Sequence, residues 1–133
     1  MQRHASVVIF GGTSEGRELA EYAEAHHIPV LVSVVSGYGE SLLRESDLVQ
    51  VHTGALDEAA MRQFLREAAP KLVLDATHPY AQVVTANIRK ACEKYPDICI
   101  RQLIGTKNHF FPHYFIHKIK EQRVMQKSRS QHK

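Results

Sequence analysis

Val7-Val8-Ile9-Phe10-Gly11-Gly12-Thr13-Ser14-Glu15-Gly16-Arg17-Glu18-Leu19-Ala20 decides how this chain is read. Four apolar residues in a row, with no polar alternation, predict a strand covered on both faces, as in a parallel sheet. Gly11 and Gly12 stop it. From Ser14 to His26, Leu19, Ala20, Tyr22 and Ala23 recur at helical spacing with acids on the other side. That is an amphipathic helix. A strand, a glycine turn and a helix together form the opening of a βαβ unit.

The rhythm continues outward. Pro29 precedes a second apolar run, Val30-Leu31-Val32-Ser33-Val34-Val35, and Leu48-Val49-Gln50-Val51 is a third strand. Asp57 is placed to N-cap a helix over 58–68, with Pro70 beyond its end. Leu72-Val73-Leu74, closed by Asp75, is a fourth strand. Pro79 sits where a helix to about Lys94 would open, and Ile98-Cys99-Ile100 is a fifth strand. Crossovers of this length imply parallel pairing. The expected fold is α/β, a doubly wound Rossmann-like parallel sheet of about five strands. No internal repeat is present.

The 133 residues suit one domain with a real core. No apolar run approaches the roughly 18 residues that span a bilayer. Met1-Gln2-Arg3-His4 leads into the first strand without a cleavage-site pattern, so no signal peptide is expected. Cys92 and Cys99 fit neither a metal spacing nor a disulfide framework. A cytoplasmic setting follows as the expectation.

The net charge of +3 is unevenly spread. Residues 1–103 carry 10 Lys and Arg against 13 Asp and Glu, a net of −3; residues 104–133 carry 7 against 1, a net of +6. The basic character therefore belongs to the tail. Residues 1–103 are expected to form the lobe and 104–133 a poorly ordered basic extension. His109, His113 and His117 are four apart, so a metal or anion site on one helical face competes with the plain extension. With no carboxylate or Cys ligand beside them, no metal site is assigned. Phe110, Phe111, Tyr114 and Phe115 cluster instead of interleaving with the basic residues, so the tail is no stacking platform and nucleic acid is not an expected partner.

The glycine turn has a chemical use. A phosphate on a helix N-terminus is stabilised by free N–H groups and the helix dipole. Gly11 and Gly12 let the backbone approach and Gly16 allows close helix–sheet packing. Thr13 and Ser14 offer hydroxyls or caps, and Arg17 a fixed positive charge. The alternative is a tight, capped strand–helix turn with no ligand; Glu15 fits the dipole alone. The second run ends Ser33-Val34-Val35-Ser36-Gly37-Tyr38-Gly39, with no acid before Glu40. A carboxylate there would hold a ribose 2′-OH and repel a 2′-phosphate, so NADP is favoured over NAD, against the alternative of an ordinary Ser/Gly turn. Asp75-Ala76-Thr77-His78-Pro79-Tyr80 lies at the carboxyl end of the fourth strand, where open sheets bind ligands. Thr77 and His78 serve there either a ligand or a helix cap, and Tyr80 either a ligand or packing. No nucleophile paired with a base is in evidence.

Three stretches together carry a family resemblance: Ile9 to Ala20, Ser33 to Gly39, and Asp75 to Ala81 followed by Asn87-Ile88 and Ala91-Cys92. With Ile98-Cys99-Ile100-Arg101 closing the half, residues 6–103 resemble the precorrin-6A reductase family. The resemblance implies an NADPH-dependent oxidoreductase acting on CH–CH bonds of precorrin-6A, or of its cobalt form, in cobalamin biosynthesis. It implies two α/β lobes with the tetrapyrrole between them. Gly11, Gly12, Thr13, Ser14, Gly16 and Arg17 would then hold the cofactor phosphates, and Ser36 and Tyr38 would lie near the adenosine. Thr77, His78 and Tyr80 would face the nicotinamide or substrate, with His78 and Tyr80 as the catalytic candidates, and Arg101 would pair with a macrocycle carboxylate. Ala55 stands where the family often carries Arg. Residues 104–133 do not resemble the second lobe, as a truncated or frame-shifted coding sequence would explain. A non-catalytic NADP-binding module is the alternative function.

Overall fold

A computed structural model describes residues 5–35, 43–77, 81–95 and 99–102, with residues 14, 15 and 99–102 described by their backbone alone. The elements in chain order are β1 Val7–Phe10, α1 Ser14–Ala25, β2 Val30–Val34, β3 Val49–Thr53, α2 Glu58–Ala68, β4 Leu72–Asp75, α3 Gln82–Glu93 and β5 Cys99–Gln102. The sheet runs β3-β2-β1-β4-β5 and all four pairings are parallel. This is the doubly wound arrangement expected from the alternating runs.

The strands form because each is apolar on both sides and both sides are covered. Val7, Ile9, Val30, Val32, Leu72 and Leu74 face α1, meeting Leu19, Ala20 and Ala23. Val8, Phe10, Leu31 and Val73 face the other layer, meeting Met61, Phe64 and Leu65 of α2 and Ile88 of α3. Each fully buried side chain of this size contributes roughly 1.5–3 kcal/mol of transfer free energy. Asp57 caps α2 as its position foretells, accepting the Ala60 N–H at 2.8 Å. That helix ends at Ala69 in the left-handed conformation, φ 47°.

β2 and α1 each end one residue short of the sequence expectation and β5 runs two residues beyond it, and two further boundaries differ for a physical reason. β3 starts at Val49 and runs on through His52 and Thr53, paired with Ser33 and Val34. It is an edge strand, and its outer half is only partly covered, so polar residues continue the ladder where an apolar pattern stops. α3 starts at Gln82, three residues later than Pro79 suggests, and its N-cap, Ala81, makes no side-chain cap bond. The chain leaving β4 first makes a side-chain-stabilised turn at Asp75, described below. Among the described residues no helix is long and apolar enough to cross a membrane.

The strand order reverses between β1 and β4. From β1 the chain winds outward to β2 and β3, then crosses back to β4 on the far side of β1. The crevice beyond the carboxyl ends of β1 and β4 is the place where such sheets hold ligands.

Candidate ligand site at the strand-order reversal

Gly11, Gly12 and Thr13 leave β1 at this crevice. The Gly11 N–H donates to the Ser33 carbonyl at 2.8 Å, so the chain is still part of the sheet. Gly12 then takes φ +108°, and a Cβ built on it would meet nothing within 4 Å among the described residues. That is a conformation that side chains disfavour. Gly16 is the opposite case. A Cβ there would lie 3.2 Å from Gly11 Cα and 3.5 Å from Ala76 Cβ, so its small size seats α1 on the turn and on the end of β4.

Thr13 is the N-cap of α1. Its hydroxyl oxygen accepts the Gly16 N–H at 3.3 Å and donates to the Ala76 carbonyl at 2.6 Å. A hydroxyl has one proton, and here that proton ties the two walls of the crevice together. The Thr13 side chain thus supports the turn from within. Arg17, in the first turn of α1, has its Nε 4.0 Å from a Glu21 carboxylate oxygen, and 40% of its side chain is exposed. It borders a cavity of about 360 Å³ along the flank of α1, shared with Glu24, Leu43 and Arg44.

The end of β4 forms the second wall. Asp75 is 2% exposed and pairs in register with Phe10. Its Oδ1 accepts the Thr77 N–H at 3.1 Å and the Thr77 hydroxyl at 2.6 Å, while Oδ2 accepts the Thr85 hydroxyl of α3 at 2.8 Å. The first of these bonds closes an Asx turn. A buried carboxylate is costly unless its lone pairs are filled, and these donors fill them. The carboxylate also anchors the first turn of α3, which lacks a side-chain cap.

Gly11, Gly12, Thr13, Gly16 and Thr77 therefore come together at the carboxyl ends of β1 and β4, while Arg17 borders the cavity on the flank of α1. Ser36, Tyr38, His78 and Tyr80 lie outside the described residues, as do the side chains of Ser14 and Arg101 and the whole basic tail. Thr85 carries no signal of this role in the sequence; only the fold brings its hydroxyl to Asp75. Among the described residues no group of three or more His, Cys, Asp or Glu is placed to hold a metal. Cys92 is buried in the α3 layer, and burial pushes its thiol up to about 11, an inert thiol in place of a nucleophile.

A backbone cradle at a helix N-terminus, open at Gly12 and closed at Gly16, fits a pyrophosphate. Comparison with known proteins agrees with the fold. The solved structure of the CobK precorrin-6A reductase superposes with a TM-score of 0.61 at 22% identity, over 77% of this chain and 37% of that one. The Bordetella bronchiseptica enzyme WbmG, solved in complex with NAD and UDP, superposes with a TM-score of 0.57 at 19% identity, over 68% of this chain and 34% of that one. Both show the fold. The Salmonella typhimurium cobalt-precorrin-6A reductase is 36% identical over 87 residues, which is 65% of this chain and 33% of that protein. The Mycobacterium tuberculosis precorrin-6A reductase is 33% identical over 87 residues, 65% of this chain and 34% of that protein. The chain thus spans about a third of the length of the curated relatives it matches. The model of the precorrin-6x reductase CbiJ/CobK family matches residues 6–102, and with that span, fold and glycine turn the chain belongs to the precorrin-6x reductase family.

Proposed function

We propose that this chain is the nucleotide-binding half of a reductase that carries hydride from NADPH to a carbon–carbon bond of precorrin-6A, or of its cobalt form, in cobalamin biosynthesis. The observation that carries the proposal is Gly12. Its φ of +108°, with nothing among the described residues within 4 Å of where a Cβ would stand, sits at the reversal of strand order, at the N-terminus of a 12-residue helix. Backbone N–H groups there hold a pyrophosphate, and a glycine adds no side chain of its own. Gly11, Gly12 and Ser14 line the cradle, Gly16 seats α1 against it with its own N–H capped by Thr13, and Arg17 adds charge. Ser36 and Tyr38 attend the adenosine. Thr77, His78 and Tyr80 attend the nicotinamide or the substrate, and Arg101 meets a macrocycle carboxylate. When bound, the reduced nicotinamide supplies the hydride, and the protein supplies orientation and electrostatics.

The preference for NADPH rests on the run after β2, Val35-Ser36-Gly37-Tyr38-Gly39, which offers no carboxylate to a ribose 2′-OH. The corrin precursor as substrate rests on the family. Titrating the chain with NADPH and NADH by nicotinamide fluorescence tests both levels. Tighter binding of NADPH is the expected result. Tighter binding of NADH overturns the 2′-phosphate assignment alone, and binding of neither overturns the dinucleotide reading.

A further inference from the structure

The protons around Asp75 have a consequence for what Thr77 can offer a ligand. A carboxylate has lone pairs and no proton, so every hydrogen bond to it uses a proton of its partner. Asp75 Oδ1 takes both the N–H and the hydroxyl proton of Thr77, at 3.1 and 2.6 Å. Oδ2 takes the hydroxyl proton of Thr85 at 2.8 Å. The two hydroxyl oxygens stand 3.4 Å apart; because each has one proton and gives it to the carboxylate, neither donates to the other. Thr77 is partly exposed, directly past the end of β4. Toward the crevice its polar side-chain atom is therefore an acceptor only.

We propose that Asp75 is a positioning residue that fixes Thr77 as the acceptor for an amide N–H2 group, the carboxamide of a nicotinamide ring; this rests on the dinucleotide reading above. A carboxamide brings two N–H donors. A pyridine ring with a methyl ketone in that place keeps the carbonyl and loses both donors. The Thr77 hydroxyl oxygen, with its own proton held by Asp75, distinguishes the two. The buried carboxylate sets the polarity of a group it does not share with the ligand. Thr85 completes the arrangement by filling Oδ2 and holding α3 against it.

The test compares the natural dinucleotide, in whichever of its NADPH and NADH forms binds, with its 3-acetylpyridine analogue in the same redox state. The intact chain is expected to bind the natural form about five- to tenfold more tightly, the worth of a hydrogen bond in a partly covered site. Thr77→Val keeps the shape and removes the acceptor, so the ratio falls to about one. Asp75→Asn does the same, because its amide can donate to the Thr77 oxygen and release that hydroxyl proton toward the crevice. The adenosine-half fragment (2′,5′-ADP or ADP) is expected to bind the intact chain and Thr77→Val equally, which separates loss of selectivity from loss of fold. Equal binding of the two dinucleotides by the intact chain overturns the proposal and leaves the dinucleotide reading standing. So does a ratio that survives Thr77→Val. Binding of neither dinucleotide overturns both.

Discussion

Gly12 and Gly16 are four residues apart and are small for different reasons. At Gly12 the constraint is the backbone: φ is +108°, and nothing lies within 4 Å of where a Cβ would stand. Gly12→Ala is expected to cost about 1–3 kcal/mol through strain at that φ, and to weaken dinucleotide binding by placing a methyl group where phosphate approaches. At Gly16 the constraint is space, since a Cβ would sit 3.2 Å from Gly11 Cα. Gly16→Ala gains up to about 1 kcal/mol of helix propensity and loses about 1–3 kcal/mol by pushing α1 off the turn. Urea unfolding of both variants, read beside nucleotide titration, checks the pair; full binding by Gly12→Ala would remove Gly12 from the site. Cys92 gives a pH-dependent expectation. Its thiol is raised from 9.0 to about 11 by burial, so its thiolate forms only as pH rises toward 11. The folded state gains from this group below pH 9, and the gain is lost as pH climbs through about 11. In a Cys99→Ala chain, alkylation by iodoacetamide at pH 8 is expected to be slow until denaturant is added. A reaction midpoint near 9 without denaturant would contradict the burial.

At the scale of elements, caps and crossovers govern. Asp57 accepts the Ala60 N–H at 2.8 Å, and Glu58 follows in the first turn. Asp57→Ala is expected to cost about 1 kcal/mol and to leave nucleotide binding unchanged, because α2 lies on the face away from the glycine turn. A shift in urea midpoint with an unaltered titration checks it. This helix was fully legible in the sequence, start and stop, because its signals are local: an Asp cap, an apolar stripe and a proline beyond the end. β1, β2 and β4 were legible for a related reason, being apolar on both faces. β3 was legible as far as Val51, since the polar continuation through His52 and Thr53 is held by pairing with β2, and pairing leaves no mark on one strand's own sequence. α3 starts three residues beyond Pro79, at Gln82. Asp75 turns back on Thr77 and reaches forward to Thr85, and a contact between a strand end and a helix ten residues on cannot be inferred from spacing. The dual role of the Thr13 hydroxyl was hidden in the same way, since its partner Ala76 is 63 residues away.

At the scale of the molecule, the crevice has one described side. The glycine turn, the end of β4 and the first turn of α3 form one edge of a single sheet. The curated relatives that match are about three times as long as the stretch matched. Hydride transfer requires donor and acceptor carbons held at near contact, and a misplacement of about 1 Å costs on the order of a hundredfold in rate. A dinucleotide needs one such edge, because its phosphates, adenosine and nicotinamide lie along the carboxyl ends of neighbouring strands. A tetrapyrrole bearing several carboxylates needs a second wall to fix its plane over the nicotinamide and to shed water from the reacting carbons. The 133-residue chain is therefore expected to bind the reduced dinucleotide and to show no precorrin-6A-dependent loss of its nicotinamide absorbance. Adding, as a separate polypeptide, the remaining two-thirds of a curated relative is expected to restore some turnover, provided the two parts associate. Substrate-dependent oxidation by this chain alone, at about one turnover per second or faster, would show that one sheet edge suffices. Residues 104–133, with their net charge of +6, would then be the first place to seek the cations that meet the substrate's carboxylates, and removing them would be expected to abolish the rate while leaving dinucleotide affinity in place.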